Sequence, residues 1–308
     1  MKIAIQMFGH LRTYQQCHEA LKKNLLDLYD CDIFIHTWDS LDHNTQTWHD
    51  FRMPNAGQSE DNIEQIIQDV YHPKAFKVEK QIVKDEGYID VSTDNKKISF
   101  FGMKSMFYSM KEADALRRSY QKEHNIQYDY VIVIRPDICL YQPFNIEKYL
   151  IFENGTDQLL YTVGKYKSDV ILNDYRKVGC SDLFFFATPQ IINQVYDNTD
   201  KILNQIKNGQ TTQWGPEYSF IYTLQSLNIH PLLVNYLETQ NFEIIRWKGS
   251  AATKSIFHKP IRIHIKHGKI EILILSNLKH LIFDLNIKLL FISLHICLGK
   301  YKKNKHSI

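Results

Sequence analysis

The stretch Tyr128-Asp129-Tyr130-Val131-Ile132-Val133-Ile134 runs directly into Arg135-Pro136-Asp137, and no other feature constrains the fold as strongly. A near-continuous β-branched run is what a strand needs when helices cover both of its faces, as they do in mostly parallel α/β sheets. Ligands of open α/β sheets bind outside the carboxyl ends of the strands, so the charges at 135 and 137 stand at the mouth of such a site. A lone carboxylate there can hold a divalent cation bridging a diphosphate, and a guanidinium can pair with phosphate oxygens. The plain alternative is a surface ion pair that closes the strand.

The rest of the chain fits around that strand. Residues 2–7 read as a short buried strand, and Phe8-Gly9-His10-Leu11-Arg12-Thr13 as a turn into a helix over 14–29. A second strand over 31–38 ends in polar groups, and the polar segment 39–60 is expected to be a loop. A helix over 61–71, a strand over 75–79, a charged connection over 81–97 and a helix over 101–124 lead to the central strand. Beyond Asp137 the pattern shortens to strands over 158–163 and 182–187, a helix over 189–206 and another from Pro216 to Leu227. Edge strands are expected at Leu232–Val234 and Phe242–Ile245. The order predicts one α/β domain, a Rossmann-type mixed, mostly parallel sheet flanked by helices, with an elaborated second half.

Of 308 residues, with a net charge of +3, the last 63 are distinct: residues 246–308 hold 13 Lys/Arg against Glu271 and Asp284. The first 245 residues carry 24 basic and 32 acidic side chains. Such asymmetry marks a tail that meets an anionic partner. Within it, residues 281–298 approach spanning length, but Asp284, Lys288 and His295 fall on one helical face. That pattern suits a helix over 279–299 lying in a membrane interface, or one packed on the domain. Cys17, Cys31, Cys139, Cys180 and Cys297 are odd in number and scattered without a C-x-x-C pair, which suggests neither a disulfide framework nor a zinc site and fits a reducing cytoplasm. The opening residues lack the basic and long apolar regions of a signal peptide.

Three further motifs carry chemistry. Gly9-His10-Leu11-Arg12 lacks a G-x-G-x-x-G pattern, yet a glycine and an arginine at a helix start can receive a phosphate; an ordinary turn reads equally well. In Trp214-Gly215-Pro216-Glu217 the carboxylate either complements a helix dipole or serves as a general base. Asp182 opens an apolar strand, where it either contacts an acceptor or ends a loop. His36, His258, His264 and His267 are each more simply packed or surface residues than metal ligands.

Taken in order, Gly9-His10-Leu11-Arg12-Thr13, Asp32 through Asp39 and Tyr128 through Asp137 resemble bacterial and large-virus glycosyltransferases encoded with surface-polysaccharide genes, members of the GT-A fold class. The resemblance covers about residues 1–245: a donor half (1–137), an acceptor half (138–245), and then the basic extension 246–308. It implies that Arg135-Pro136-Asp137 takes the place of the metal-binding D-x-D motif, with Asp137 holding Mn²⁺ or Mg²⁺ and Gly9, Arg12, Thr37, Lys104 and Arg135 contacting the nucleoside-diphosphate sugar. Asp182 then opens the acceptor strand and Glu217 is the catalytic base of an inverting transfer. Arg135 stands where a first aspartate would be, and Cys139 where another could follow, so one carboxylate remains.

The expected acceptor is a lipid-linked or surface glycan, of lipopolysaccharide, O-antigen or capsule, reached from the inner face of the plasma membrane through the tail. No nucleic-acid partner is expected, because the positive charge sits on an apolar helix without interleaved aromatics. The rival functions are a non-catalytic nucleic-acid-binding protein using that tail, and a nucleotidyl- or phosphotransferase on a similar sheet. A P-loop version of the latter is not expected, because no G-x-x-x-x-G-K-[ST] occurs.

Overall fold

Strand β1 (Lys2–Phe8) passes through the Gly9 turn into helix α1 (Tyr14–Asn24), followed by β2 (Asp30–Trp38), α2 (Ile63–Tyr71) and β3 (Ala75–Glu79). A hairpin of β4 (Tyr88–Asp90) and β5 (Lys97–Ser99) precedes the long helix α3 (Phe100–His124) and strand β6 (Tyr130–Ile134). Then come β7 (Ile138–Leu140), β8 (Leu159–Gly164), β9 (Phe184–Ala187), α4 (Pro189–Asp197), α5 (Thr199–Lys207), β10 (His230–Leu237) and β11 (Phe242–Ile244). This computed structural model describes residues 1–42, 62–84, 86–90, 97–150, 158–164, 181–208, 220, 223–238, 240–245, 262–266 and 269–273.

Seven strands form one sheet in the order β10-β8-β9-β6-β1-β2-β3. β3, β2, β1 and β6 lie parallel, β9 is antiparallel to both β6 and β8, and β10 is parallel to β8. The chain winds from β1 outward through β2 to β3, then returns to place β6 on the other side of β1. The strand order therefore reverses between β1 and β6, which opens a crevice at their carboxyl ends.

Alternation across the strands explains the unbroken apolar run. Ile132 and Ile134 pack with Ile3, Ile5, Ile33 and Ile35 on one face, together with Leu21, Ile63 and Ile67 of α1 and α2. Val131 and Val133 pack on the other with Phe34, with Met103, Phe107 and Met110 of α3, and with Ile191 and Val195 of α4. Each fully buried side chain of this kind contributes about 1.5–3 kcal/mol, so β6 is held from both sides.

Several element boundaries differ from those the sequence predicts. The helix expected over 14–29 ends at Asn24, whose side chain leaves the helix to donate to the Leu140 carbonyl at 2.6 Å; a 3₁₀ turn, Leu26–Leu28, follows. The helix expected over 189–206 breaks at Asn198, whose side-chain amide donates to Gln194 O at 2.8 Å and caps α4. The charged connection over 81–97 contains the β4–β5 hairpin. The segment after Asp137 contains β7, too short to announce itself, paired antiparallel with β11. Cys17 and Cys139, far apart in sequence, meet beside Ile245. Their shared hydrogen bond, then burial, push the Cys17 thiol up, while accepting that bond lowers Cys139.

Packing separates Met1–Thr253 from Lys254–Ile308. In the second unit β12 (Arg262–Lys266) and β13 (Lys269–Leu273) form an antiparallel hairpin that the reading of the tail did not include; His264 lies on β12. The helix expected over 279–299 lies outside the described residues, as do His258 and His267. Among the described residues, no helix is long and apolar enough to cross a membrane.

Candidate functional site

Both strands that flank the crevice end in residues of special backbone or charge. Gly9, with φ of 84°, turns the chain out of β1, and its N–H donates to Ser109 Oγ at 2.8 Å. Arg12 also sits in the left-handed region, with φ of 49°. For a residue with a side chain this costs on the order of 1–3 kcal/mol and persists only when the surroundings enforce it. Here its N–H donates to Leu41 O at 2.8 Å, and its guanidinium spans two carboxylates, with Nε 3.1 Å from Asp42 Oδ1 and Nη1 3.0 Å from Asp137 Oδ2.

The other half comes from the end of β6. Ile138 N–H donates to Arg135 O at 3.2 Å, closing a turn about Pro136 that points Arg135 back at Asp137, and Arg135 Nη2 donates to the same oxygen, Asp137 Oδ2. Two bonds through Ile245 strap the cluster: Ile245 N–H donates to Asp137 O at 2.8 Å, and the Thr13 hydroxyl donates to Ile245 O. Asp137 is wholly buried and the Asp42 side chain nearly so, whereas the Arg12 and Arg135 side chains are 10% and 9% exposed. The arginines are thus the less buried members of the cluster and the carboxylates the more buried. The surface ion pair considered for 135 and 137 is in fact buried and joined, among the described residues, by Arg12 and Asp42.

Strand register gathers most of the other expected residues at this edge. Thr37 follows His36, which pairs with Phe8, so it lies level with Gly9; its hydroxyl is buried and without a hydrogen-bond partner among the described residues. Because β9 runs against β6 with Phe184 opposite Ile134, the start of β9 lies beside the end of β6, and the buried Asp182 comes to the same edge. Lys104 lies on the part of α3 that overshoots the strand ends, and its ammonium binds Glu86 at 3.0 and 3.3 Å, not a member of the arginine–aspartate cluster. Glu217 lies outside the described residues.

A second polar network supports the Gly9 turn. His36 is buried; its Nδ1 lies 2.7 Å from Ser109 Oγ and its Nε2 2.8 Å from Glu79 Oε2. Burial lowers the His36 pKa, outweighing the hydrogen bond to Glu79 that raises it, so the imidazole is neutral at pH 7. The tautomer follows: Nε2–H donates to the carboxylate, Nδ1 accepts from the Ser109 hydroxyl, and Ser109 Oγ accepts from Gly9 N–H. Burial alone would raise the Glu79 carboxyl, but hydrogen bonds from His36, Tyr108 and Lys77 hold it at about 2. Both His36 nitrogens are committed, which agrees with the packed-residue reading of this histidine.

Sequence reasoning did not find Asp42, Ser109, Glu79 or the strap from Thr13. Asp42 hides in a polar segment that reads as loop, and Ser109 is one small residue inside a helical pattern. The available signal was charge parity: Arg12, Arg135 and Asp137 leave one cation over, which a buried site would need to neutralise.

These donors do not fit a divalent cation. Asp137 already accepts two guanidinium groups on one oxygen, and among the described residues two arginines with two aspartates cancel in charge. At about 4 Å and an effective dielectric near 20, each guanidinium would oppose a divalent ion by about 8 kcal/mol, so the carboxylates leave no net attraction to offset its dehydration. Among the described residues no group of three or more His, Cys, Asp or Glu side chains is placed to hold a metal. What the arrangement suits is an anion presented to the guanidinium edges. No family model matches the chain, and no curated protein matches it in sequence.

Proposed function

We propose that this protein is a glycosyltransferase with a GT-A-like sheet, moving a sugar from a nucleoside-diphosphate donor to a hydroxyl of a lipid-linked or surface glycan. The observation that carries this reading is the convergence of Arg12 and Arg135 at the carboxyl ends of β1 and β6, where the strand order reverses. That position receives phosphorylated ligands in open α/β sheets, and the strained Arg12 backbone is the kind of outlier that marks a functional site. The sheet order, with β9 alone reversed beyond the switch point, supports the fold-level resemblance and brings Asp182 within the same crevice edge.

In the proposed reaction the acceptor hydroxyl attacks the anomeric carbon as the bond to the diphosphate breaks. Glu217 takes the hydroxyl proton, and inversion follows from the single displacement. Arg12 and Arg135 neutralise the charge that develops on the leaving diphosphate, aimed in advance by Asp42 and Asp137. Thr37 and Asp182 face the donor and acceptor ends of the crevice. The basic second unit docks the enzyme on an anionic membrane surface, which places the active site at the inner leaflet.

A thermal-shift panel of nucleotide sugars tests the donor reading, because a ligand that binds only the folded state raises apparent stability by mass action. One nucleotide sugar should raise the midpoint, and Asp137→Ala should abolish both that rise and sugar transfer. A shift with nucleoside triphosphates alone would favour the phosphotransferase instead. Glu217→Gln should keep donor binding and lose turnover; retained turnover removes Glu217 as the base. Cosedimentation with anionic vesicles tests the membrane role, which equal partitioning of the full chain and a truncation before Lys279 would refute.

A further inference from the structure

We infer that the donor diphosphate is held by Arg12 and Arg135 without a metal ion, the aspartate of the R-P-D turn acting as a positioning residue for the two guanidinium groups and not as a metal ligand. The inference rests on the donor-site reading above and settles what kind of counterion that site uses.

Three observations point the same way. First, Asp137 is fully buried, more so than either arginine, and its Oδ2 accepts from both, so this carboxylate oxygen is already committed to guanidinium partners. Second, the residue two positions on, where a second carboxylate would complete a metal site, is Cys139, and its thiol is engaged elsewhere, with Cys17 and toward the Gln16 carbonyl at 3.9 Å. Third, Arg12 is held in a left-handed backbone conformation by Leu41 O on one side and Asp42 and Asp137 on the other. That expenditure makes sense if the guanidinium must present a fixed edge. A guanidinium offers a planar fork that matches two phosphate oxygens, and a pair of them supplies the two positive charges that a divalent ion would bring.

The carboxylates then have a defined task. Without Asp42 and Asp137, two long cationic side chains would repel each other and sample many rotamers; with them, the edges are fixed before ligand arrives. Binding therefore replaces water on the exposed edges and leaves the buried Arg–Asp bonds in place.

Isothermal titration of the full chain with uridine, guanosine, cytidine, adenosine and thymidine diphosphates, each in EDTA and in Mn²⁺, tests this. The nucleotide that binds should do so in EDTA with a Kd within about threefold of that in Mn²⁺. Arg135→Lys and Arg12→Gln should each weaken it by about ten- to a hundredfold, the loss of a charge-assisted bond, while the parent nucleoside, lacking phosphates, loses less than about threefold. That difference separates phosphate contact from simple unfolding, which would reduce both equally, and thermal midpoints of the variants provide the folding control. Binding seen only with Mn²⁺, or equal losses for nucleoside and diphosphate, overturns the inference while leaving the donor site standing. No binding of any nucleoside diphosphate in either condition overturns the donor-site reading itself.

Discussion

Two buried aspartates in this protein each hold two arginines, yet they are built for different ends. Asp114 lies on α3 beneath α4: its Oδ1 accepts from Arg117 Nη2 at 2.7 Å and from Gln6 Nε2 at 2.8 Å, and its Oδ2 from Arg118 Nε at 2.5 Å. Arg117 is fully buried, and its remaining donors go to Gln121 and Asn193. The partners stand at i+3 and i+4 on one helix; amide oxygens take the rest of Arg117, and Asp197 and the Asn193 carbonyl take the rest of the one-third-exposed Arg118, so both guanidinium groups are spent on protein acceptors. Asp137 instead draws Arg12 from 125 residues away, on a turn with strained backbone, and leaves both guanidinium edges at the surface of a crevice. Similar chemistry buried in a helix–sheet interface is cement; at the strand carboxyl ends it is, in the function proposed above, a prepared site.

The comparison predicts opposite balances of stability and binding. Asp114→Ala should destabilise by about 3–5 kcal/mol, the cost of a buried guanidinium left without its partner, and should leave nucleotide affinity unchanged wherever the variant is folded. Asp137→Ala should cost less, about 1–3 kcal/mol, because Arg12 keeps Asp42 and both guanidinium groups can reach water. Urea unfolding and nucleotide titration on the same samples decide it. If Asp137→Ala proves as destabilising as Asp114→Ala and binding survives, both clusters are structural.

The His36 network is intermediate, a buried structure that shapes the site from behind. Ser109→Ala removes the acceptor of Gly9 N–H and the donor to His36, and should cost about 1–2 kcal/mol, visible in thermal unfolding. The same network gives stability a pH dependence. Because the folded-state pKa of His36 lies below its unfolded value near 6.5, the unfolded chain binds the proton more tightly. The contribution is full above that pH and falls as pH drops below it. Glu79, Lys77, Glu112, Ser109, Tyr108 and Trp38 are the groups facing this histidine or its carboxylate partner. Thermal midpoints should fall between about pH 7.5 and pH 5.5, and His36→Gln should flatten that slope; an unchanged slope would assign it to other groups.

The sheet was legible in sequence wherever burial dictates composition. Ile132, Val133 and Ile134 are apolar because helices cover both faces, and the same logic located β1, β2, β3 and β9. What sequence could not supply was decided by single polar side chains: Asn24 ending α1, Asn198 splitting α4 from α5, and the very short β7. At the site, Gly9, Arg12, Arg135, Asp137, Thr37 and Asp182 were nameable because they lie at or near the ends of recognisable strands. Their grouping was not, since Arg12 meets Asp137 only through the register of β1 against β6, and Asp42 reaches Arg12 only through that of β2 against β1. That one carboxylate of a metal motif is replaced by Cys139 was visible in sequence; that two arginines converge on the remaining one required the fold.

Lys104 gives the smallest effect and the finest test of the contrast. It is a cation at the same edge of the sheet, half exposed, paired with Glu86 at 3.0 Å, and bonded to no carboxylate that fixes it from within. Exposed pairs contribute about 0–1 kcal/mol and weaken with salt, so Lys104→Ala should change stability by no more than about 0.5 kcal/mol. If a prepared site needs cations locked by buried carboxylates, this substitution should weaken nucleoside-diphosphate binding by less than about threefold, against the larger losses at Arg12 and Arg135. A loss at Lys104 as large as theirs, with stability untouched, would mean that the lysine leaves Glu86 to reach the ligand. The site would then be completed by a mobile cation as well as by fixed ones.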